Sequence, residues 1–246
     1  MKLAAEISGA QREPTGTKEH HMASPEMYTA RGIVSLDLSA VAVGDDIAGY
    51  VDAGSILAFL PAVTEQHRSD VLHSVLFAQR RADRECARFG NPRQWLAAYR
   101  RALDEMGWNA SPLGAPGPVS GSGPLDHVLL EALQSAEVPD DQRAALGGAL
   151  AAEMALPDNA PAAEIFEGAS HKRKNALFQV ATVTEHEGRV VMNGGVFWLT
   201  ADYFAHLLQL DVAASHSLTA AVGPMRLNDV VYAQVRDRVM EKVARG

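Results

Sequence analysis

The sequence predicts an α+β fold, in which an N-terminal helical hairpin and further helices pack on a C-terminal antiparallel β-meander closed by a terminal helix. Three observations lead to this prediction. Apolar residues recur every three or four positions in the region 64–156, and they alternate in the region 178–222. Beyond these, Val231, Val235, Val239 and Val243 recur at a spacing typical of a buried helix face. Helices followed by strands are typical of α+β proteins rather than of doubly wound sheets.

Composition limits the classes of protein to which this chain can belong. Its 246 residues, 47% hydrophobic and 21% charged, are ordinary for a soluble globular chain. The net charge of -8 disfavours nucleic acid as a partner, because binding to phosphates depends on clustered Lys and Arg. A single cysteine excludes an intramolecular disulfide and any multi-cysteine metal site. We therefore expect no cofactor and no metal site.

The chain divides into a tail and one domain. Residues 1–27 are polar and lack periodicity, which predicts a tail, and residues 28–246 form the predicted domain. Charged residues interrupt the N-terminal apolar run before a Sec signal is complete. The longest apolar stretch, residues 54–63, is too short to span a bilayer. We expect a protein that is not integral to a membrane, and that is either cytoplasmic or secreted without a Sec signal.

The first elements are the least regular. Val34, Leu36 and Leu38 alternate as in a half-buried strand. The glycines in residues 45–60 disfavour both a regular helix and a regular strand. The spacing of the apolar residues there favours short helical pieces.

The helical hairpin has clear start and stop signals. Thr64 is the predicted N-cap of a helix that ends at Gly90, and Asn91 with Pro92 begins a second helix that ends near Gly107. The apolar stripe of the first helix contains Val71, Val75, Ala78, Ala82, Cys86 and Phe89.

A Gly/Pro-rich segment separates this hairpin from the remaining elements. Residues 109–124 are predicted to be an exposed linker. Helices are predicted from Leu125, from Asp140 and, as a short turn, from Pro161. Three to five antiparallel strands follow, with a polar turn at residues 185–188, and Asn228 caps the terminal helix.

Cys86 is the first candidate functional residue. A thiol is a nucleophile or an acylation target when it is accessible and readily ionised, and Arg84 and Arg88 lie close to it in sequence. On an apolar stripe, however, a cysteine usually serves as a small buried hydrophobe. Both interpretations remain open. No local motif pairs this thiol with one of the nine histidines.

The basic run Lys172, Arg173 and Lys174 is the second candidate. On an acidic protein such a cluster can contact anionic lipid or a protein partner, although solvated loops of this composition are common. No phosphate-binding loop, dinucleotide fingerprint or nucleophile elbow is present in the sequence.

Four segments together resemble a bacterial and fungal group, the Evf-type virulence factors. They are residues 55–85 (SILAFLPAVTEQHRSDVLHSVLFAQRRADRE), 95–108 (WLAAYRRALDEMGW), 165–200 (IFEGASHKRKNALFQVATVTEHEGRVVMNGGVFWLT) and 225–243 (MRLNDVVYAQVRDRVMEKV). The resemblance implies a single domain without known enzymatic activity, which acts in host interaction and attaches to membranes through a fatty acyl group on a cysteine. The family's acylated cysteine lies in the C-terminal half, where this chain has none, so Cys86 is the only candidate for acyl attachment.

These observations favour a non-enzymatic protein. The expected partner is a fatty acyl group or other apolar ligand, a membrane surface or a protein, and the setting is host interaction. The alternative is a cysteine- or histidine-dependent hydrolase whose site forms only on folding.

Overall fold

The computed structural model describes residues 32–41, 43–44, 46–213 and 217–245. The predicted tail, residues 1–27, lies outside the described residues. The predicted α+β class is confirmed: within the described residues, seven helices pack around a mixed sheet of nine strands, and two further strands form a second sheet. Among the described residues, no helix is both long and apolar enough to cross a membrane.

The strands are β1 (Ile33–Leu36), β2 (Ala48–Asp52), β3 (Ser55–Phe59), β4 (Trp108–Asn109), β5 (Gly117–Pro118), β6 (Gly123–Pro124), β7 (His171–Lys172), β8 (Asn175–His186), β9 (Arg189–Thr200), β10 (Asp211–Val212) and β11 (Ser217–Leu227). The helices are α1 (Glu65–Glu85), α2 (Pro92–Glu105), α3 (Leu125–Ser135), α4 (Asp140–Met154), α5 (Pro161–Ser170), α6 (Asp229–Ala233) and α7 (Arg236–Arg245).

The main sheet joins the predicted meander to an N-terminal hairpin. Its order is β1-β2-β3-β8-β9-β11-β4, with β5 also paired to β11 and β7 to β8. All neighbours are antiparallel except β3 and β8, which are parallel. Parallel strands need a long crossover, and the chain between β3 and β8 contains five helices.

Each face of the sheet carries its own helical layer. The first layer, with α1, α2 and α7, packs on side chains such as Leu57, Leu177 and Met192. The second layer, with α3, α4 and α5, packs on Ile56, Val180 and Phe197. Two hydrophobic cores therefore share one sheet, as strand alternation requires.

The prediction of short helical pieces in residues 45–60 is wrong. This region forms the β2–β3 hairpin, whose turn contains Ala53, with a φ of 48°, and Gly54. Both strands are buried on their two faces, and such strands carry near-continuous apolar side chains that imitate helical spacing.

Residues 109–124 also differ from the predicted exposed linker. Short strands within this region pair with β11 and with β10, and Ala110 and Leu113 are fully buried. The Gly and Pro residues indicate irregular backbone here, but irregular backbone can still lie against a sheet.

Two helices differ from their predicted extents, the first at its C-terminal end and the last by a break in its middle. Thr64 accepts a hydrogen bond from the His67 N–H, which confirms the predicted N-cap, but α1 ends at Glu85 rather than at Gly90. The terminal helix is divided into α6 and α7. As a result, Val239 and Val243 are buried, whereas Val231 is 39% exposed.

Candidate functional site

Cys86 lies at the edge of a pocket of about 530 Å³. The residue is the C-cap of α1, has extended backbone dihedrals and is half-buried, so it does not belong to the helical stripe predicted for it. Cys86 lines the space between α1, the β2–β3 turn and the end of α5, and it also packs against the core of the first layer.

Apolar residues and glycines form most of the pocket lining. They are Gly32, Ala53, Leu76, Cys86, Ala87, Phe89, Gly90, Gly168 and Ala169. The polar remainder comprises Gln79, Arg80, Asp83, Arg88 and Lys172, which include three cations and one carboxylate. An apolar pocket with a few polar groups is the usual form of a small-molecule site.

The basic run lies next to this pocket. Lys172, Arg173 and Lys174 are all exposed and line a groove of about 460 Å³. This groove shares Phe89, Gly90 and Lys172 with the pocket. The fold therefore places the two candidates, separated in sequence, side by side.

The turn between β7 and β8 presents these cations. Arg173 has a φ of 57°, in the left-handed region that a non-glycine residue rarely adopts. Lys174 pairs with Asp202 at 2.8 Å, which fixes one end of the turn to the segment after β9.

Arg88 holds the walls of the pocket together. Its guanidinium donates to both carboxylate oxygens of Asp83, at 2.8 and 3.1 Å, and to the Ala169 carbonyl oxygen at 2.7 Å. It also stacks over the Trp95 ring, 4.6 Å from the centroid. These contacts join the end of α1 to α2 and α5, so Arg88 serves as a structural clamp.

Gly54 makes this clamp possible. A Cβ at this position would lie 2.5 Å from Nη1 of Arg88. The Gly54 N–H donates to Oε1 of Gln79, and Nε2 of Gln79 donates to the Asp52 carbonyl oxygen. The β2–β3 turn is thus fastened to the helix that bears the thiol.

A row of buried polar side chains lies behind the pocket wall. Asp52, Ser55 and Gln179 are register partners on three adjacent strands, and all are at most 3% exposed. Tyr99 donates its hydroxyl hydrogen to Oε1 of Gln179 at 2.7 Å. Neither carboxylate oxygen of Asp52 has a hydrogen-bond partner among the described residues, and burial raises the pKa of this carboxyl well above its usual range.

One group of residues has the composition of a metal site. His67, Asp70 and Asp229 bring their ligand atoms within 4.8 Å of one another. The Arg236 guanidinium already occupies this cluster, donating to the two carboxylate oxygens of Asp70 at 2.8 and 2.7 Å and to Asp229 at 3.0 Å. We interpret the cluster as the ion-pair network that holds α7 on α1.

The chain was compared with protein families, curated proteins and solved structures. It matches none of them. The Evf-type resemblance therefore stays a prediction, and the site has to be interpreted from its geometry.

The sequence indicates the two candidates but not the contacts that bring them together in one site. Gln79, Asp83 and Ala169 carry no motif, and their roles depend on contacts between distant elements. The described residues that line the pocket include no histidine.

Proposed function

We propose that this protein binds a small apolar ligand with an anionic group in the pocket beside Cys86, without catalysing its conversion. The observation that carries the proposal is the continuity between an apolar pocket and a basic groove. The apolar part of a ligand gains free energy by leaving water, at about 25 cal/mol for each Å² buried. The anionic group would lie near Lys172 and Arg173, where opposite charges attract it.

Binding of a fluorescent fatty acid such as cis-parinaric acid tests the pocket. A Cβ at Gly168 meets no atom within 4 Å, so Gly168→Leu extends into open space at the pocket lining without a backbone clash. We expect this variant to weaken the dissociation constant at least about tenfold, because it fills the volume that the ligand needs. Gly168→Ala is the matched control and should bind nearly as tightly as the natural protein.

The charge of the rim is tested separately. The double substitution Lys172→Gln and Arg173→Gln should weaken binding of the anionic probe about three- to tenfold at low salt and leave binding of a neutral analogue unchanged. Arg189→Gln, which removes an exposed arginine from the start of β9, is the control. Absence of probe binding to the natural protein, or equal binding by Gly168→Leu, contradicts the proposal.

The acyl attachment implied by the Evf-type resemblance is a variant of this proposal. A pocket beside the thiol supports it, since an acyl chain on Cys86 would have apolar residues to contact. Intact mass of the purified protein, before and after hydroxylamine, distinguishes the covalent form from the free ligand. A mass equal to that of the bare chain excludes covalent attachment and leaves noncovalent binding to the fluorescence experiment.

A further inference from the structure

A nearly closed crevice of titratable groups lies beside α5, separate from the lining of the Cys86 pocket. Glu153 of α4 and Glu167 of α5 both line it, together with Asp158 and His206. Glu153 is only 5% exposed. Two carboxyl groups in so small a space cannot both be ionised without a large cost in free energy.

Glu167 joins this crevice to the segment that follows β9. Its Oε1 accepts a hydrogen bond from the Leu207 N–H at 2.9 Å, and its Oε2 lies 2.7 Å from Nε2 of His171. The His171 ring contacts Phe204, with 5.1 Å between the ring centroids. Residues 201–210 are thereby fastened to α5 through one carboxylate and one imidazole.

The helix α5 forms part of the proposed ligand site. Gly168 and Ala169, directly after Glu167, line the pocket, and Lys172 follows His171 on its rim. The 201–210 segment does not line the pocket, but its Asp202 pairs with Lys174 of the neighbouring groove. The crevice and the rim are therefore connected through α5 and through this ion pair.

We infer that Glu153, Glu167 and His171 form a pH-sensitive latch, which holds residues 201–210 on α5 in mildly acidic solution and weakens, together with ligand binding, as the pH rises. The latch itself is independent of the ligand; its effect on the pocket rests on the proposed function.

The charge of Glu153 gives the direction of the change. Burial, and then the negative charge of Glu167, raises the pKa of Glu153 to about 7. In mildly acidic solution Glu153 is therefore neutral, and Glu167 keeps its hydrogen bonds to the Leu207 N–H and to His171. As the pH rises, Glu153 ionises and places a second negative charge in the crevice that it shares with Glu167, which pushes the Glu167 carboxylate away and weakens its hold on residues 201–210. His206, 3.5 Å from Asp158, also lines the crevice.

Hydrogen exchange at the Leu207 amide tests the latch without a ligand. Between about pH 6 and pH 8.5, the protection factor should fall at least about tenfold in the natural protein. Glu153→Gln keeps this residue neutral and should reduce the fall to less than about threefold, while the exposed Glu164→Gln on α5 should behave as the natural protein. Glu167→Gln, which keeps an acceptor oxygen but removes the second charge, should also lose the pH dependence.

Probe binding over the same pH range tests the connection to the pocket. The dissociation constant should rise with pH in the natural protein and in Glu164→Gln, and it should change little in Glu153→Gln. An equal pH dependence in the natural protein and in Glu153→Gln, in both experiments, overturns the inference. If the probe binds at neither pH, the proposed function fails, and the exchange data still decide whether the latch exists.

Discussion

At the scale of single residues, Asp52 illustrates how the fold changes the chemistry of a common side chain. It ends β2, where a carboxylate often faces water, yet it is fully buried on the sheet face covered by α1. Arg80 and Arg88 oppose the effect of burial on its pKa, but desolvation is the larger effect. The folded protein therefore favours the neutral carboxyl.

This pKa shift makes a prediction for Asp52→Asn. The raised pKa of the folded state means that the carboxyl favours folding below its unfolded pKa of about 3.9, and that this advantage is lost as the pH rises. The amide cannot ionise, so the free energy of unfolding of the variant relative to the natural protein should increase with pH above about pH 4. Urea unfolding at about pH 4 and pH 8 measures the change.

The exposed Asp211→Asn in β10 is the control for this experiment. Its relative stability should vary much less with pH over the same range, because an exposed carboxylate stays solvated. A relative stability of Asp52→Asn that stays constant or falls with rising pH contradicts the assignment of a neutral buried carboxyl.

At the scale of elements, the β8–β9 pair depends on glycine at one close approach. Gly194 lies opposite Ala181, and a Cβ there would be 2.3 Å from both the Ala181 Cβ and the Val180 carbonyl oxygen. One of these atoms belongs to the backbone, so the strands themselves would have to separate. The longest antiparallel pair of the sheet thus tolerates no side chain at this position.

We therefore expect Gly194→Ala to lower the free energy of unfolding by about 3 kcal/mol, because the added methyl group overpacks the sheet. Gly117→Ala in β5 is the matched strand control, since its Cβ would meet nothing within 4 Å. Its effect should stay within about 0.5 kcal/mol. Chemical denaturation of both variants checks the difference, and equal stabilities would contradict the close approach.

At the scale of the whole molecule, the sheet separates two helical layers. Among the described residues, each layer contains one carboxyl group whose pKa is raised. Asp52 lies on the face of α1 and α2, and Glu153 lies in the layer of α3, α4 and α5. Groups in different layers that share no partner usually contribute additively to stability. The two carboxyls should therefore respond to pH independently.

The double variant Asp52→Asn and Glu153→Gln tests this separation. At about pH 8, Glu153→Gln alone should stabilise the protein by about 3 kcal/mol, because the natural carboxyl is ionised at this pH although folding raises its pKa to about 7 from an unfolded value of about 4.3. The effects of the two substitutions should add to within about 0.5 kcal/mol in chemical denaturation. A larger coupling energy would show that the layers communicate through the sheet.

Much of the fold could be predicted because its signals are local. Thr64, Asn91 and Asn228 accept the predicted cap hydrogen bonds, and the alternation after residue 175 corresponds to β8 and β9. Caps and alternation depend on residues close in sequence. The β2–β3 hairpin was missed because both of its faces are buried, which removes the alternation that identifies a strand.

The sequence by itself determined the α+β class, the helical hairpin and the two candidate sites, Cys86 and the basic run, because short spacings and side-chain chemistry specify these features. Only the tertiary structure decided that α1 stops before the thiol, that an apolar pocket adjoins the basic turn, and that Glu153 and Glu167 share one crevice. The pocket and the crevice bring together residues that are far apart in sequence, and long-range contacts of this kind leave no periodic pattern in the chain.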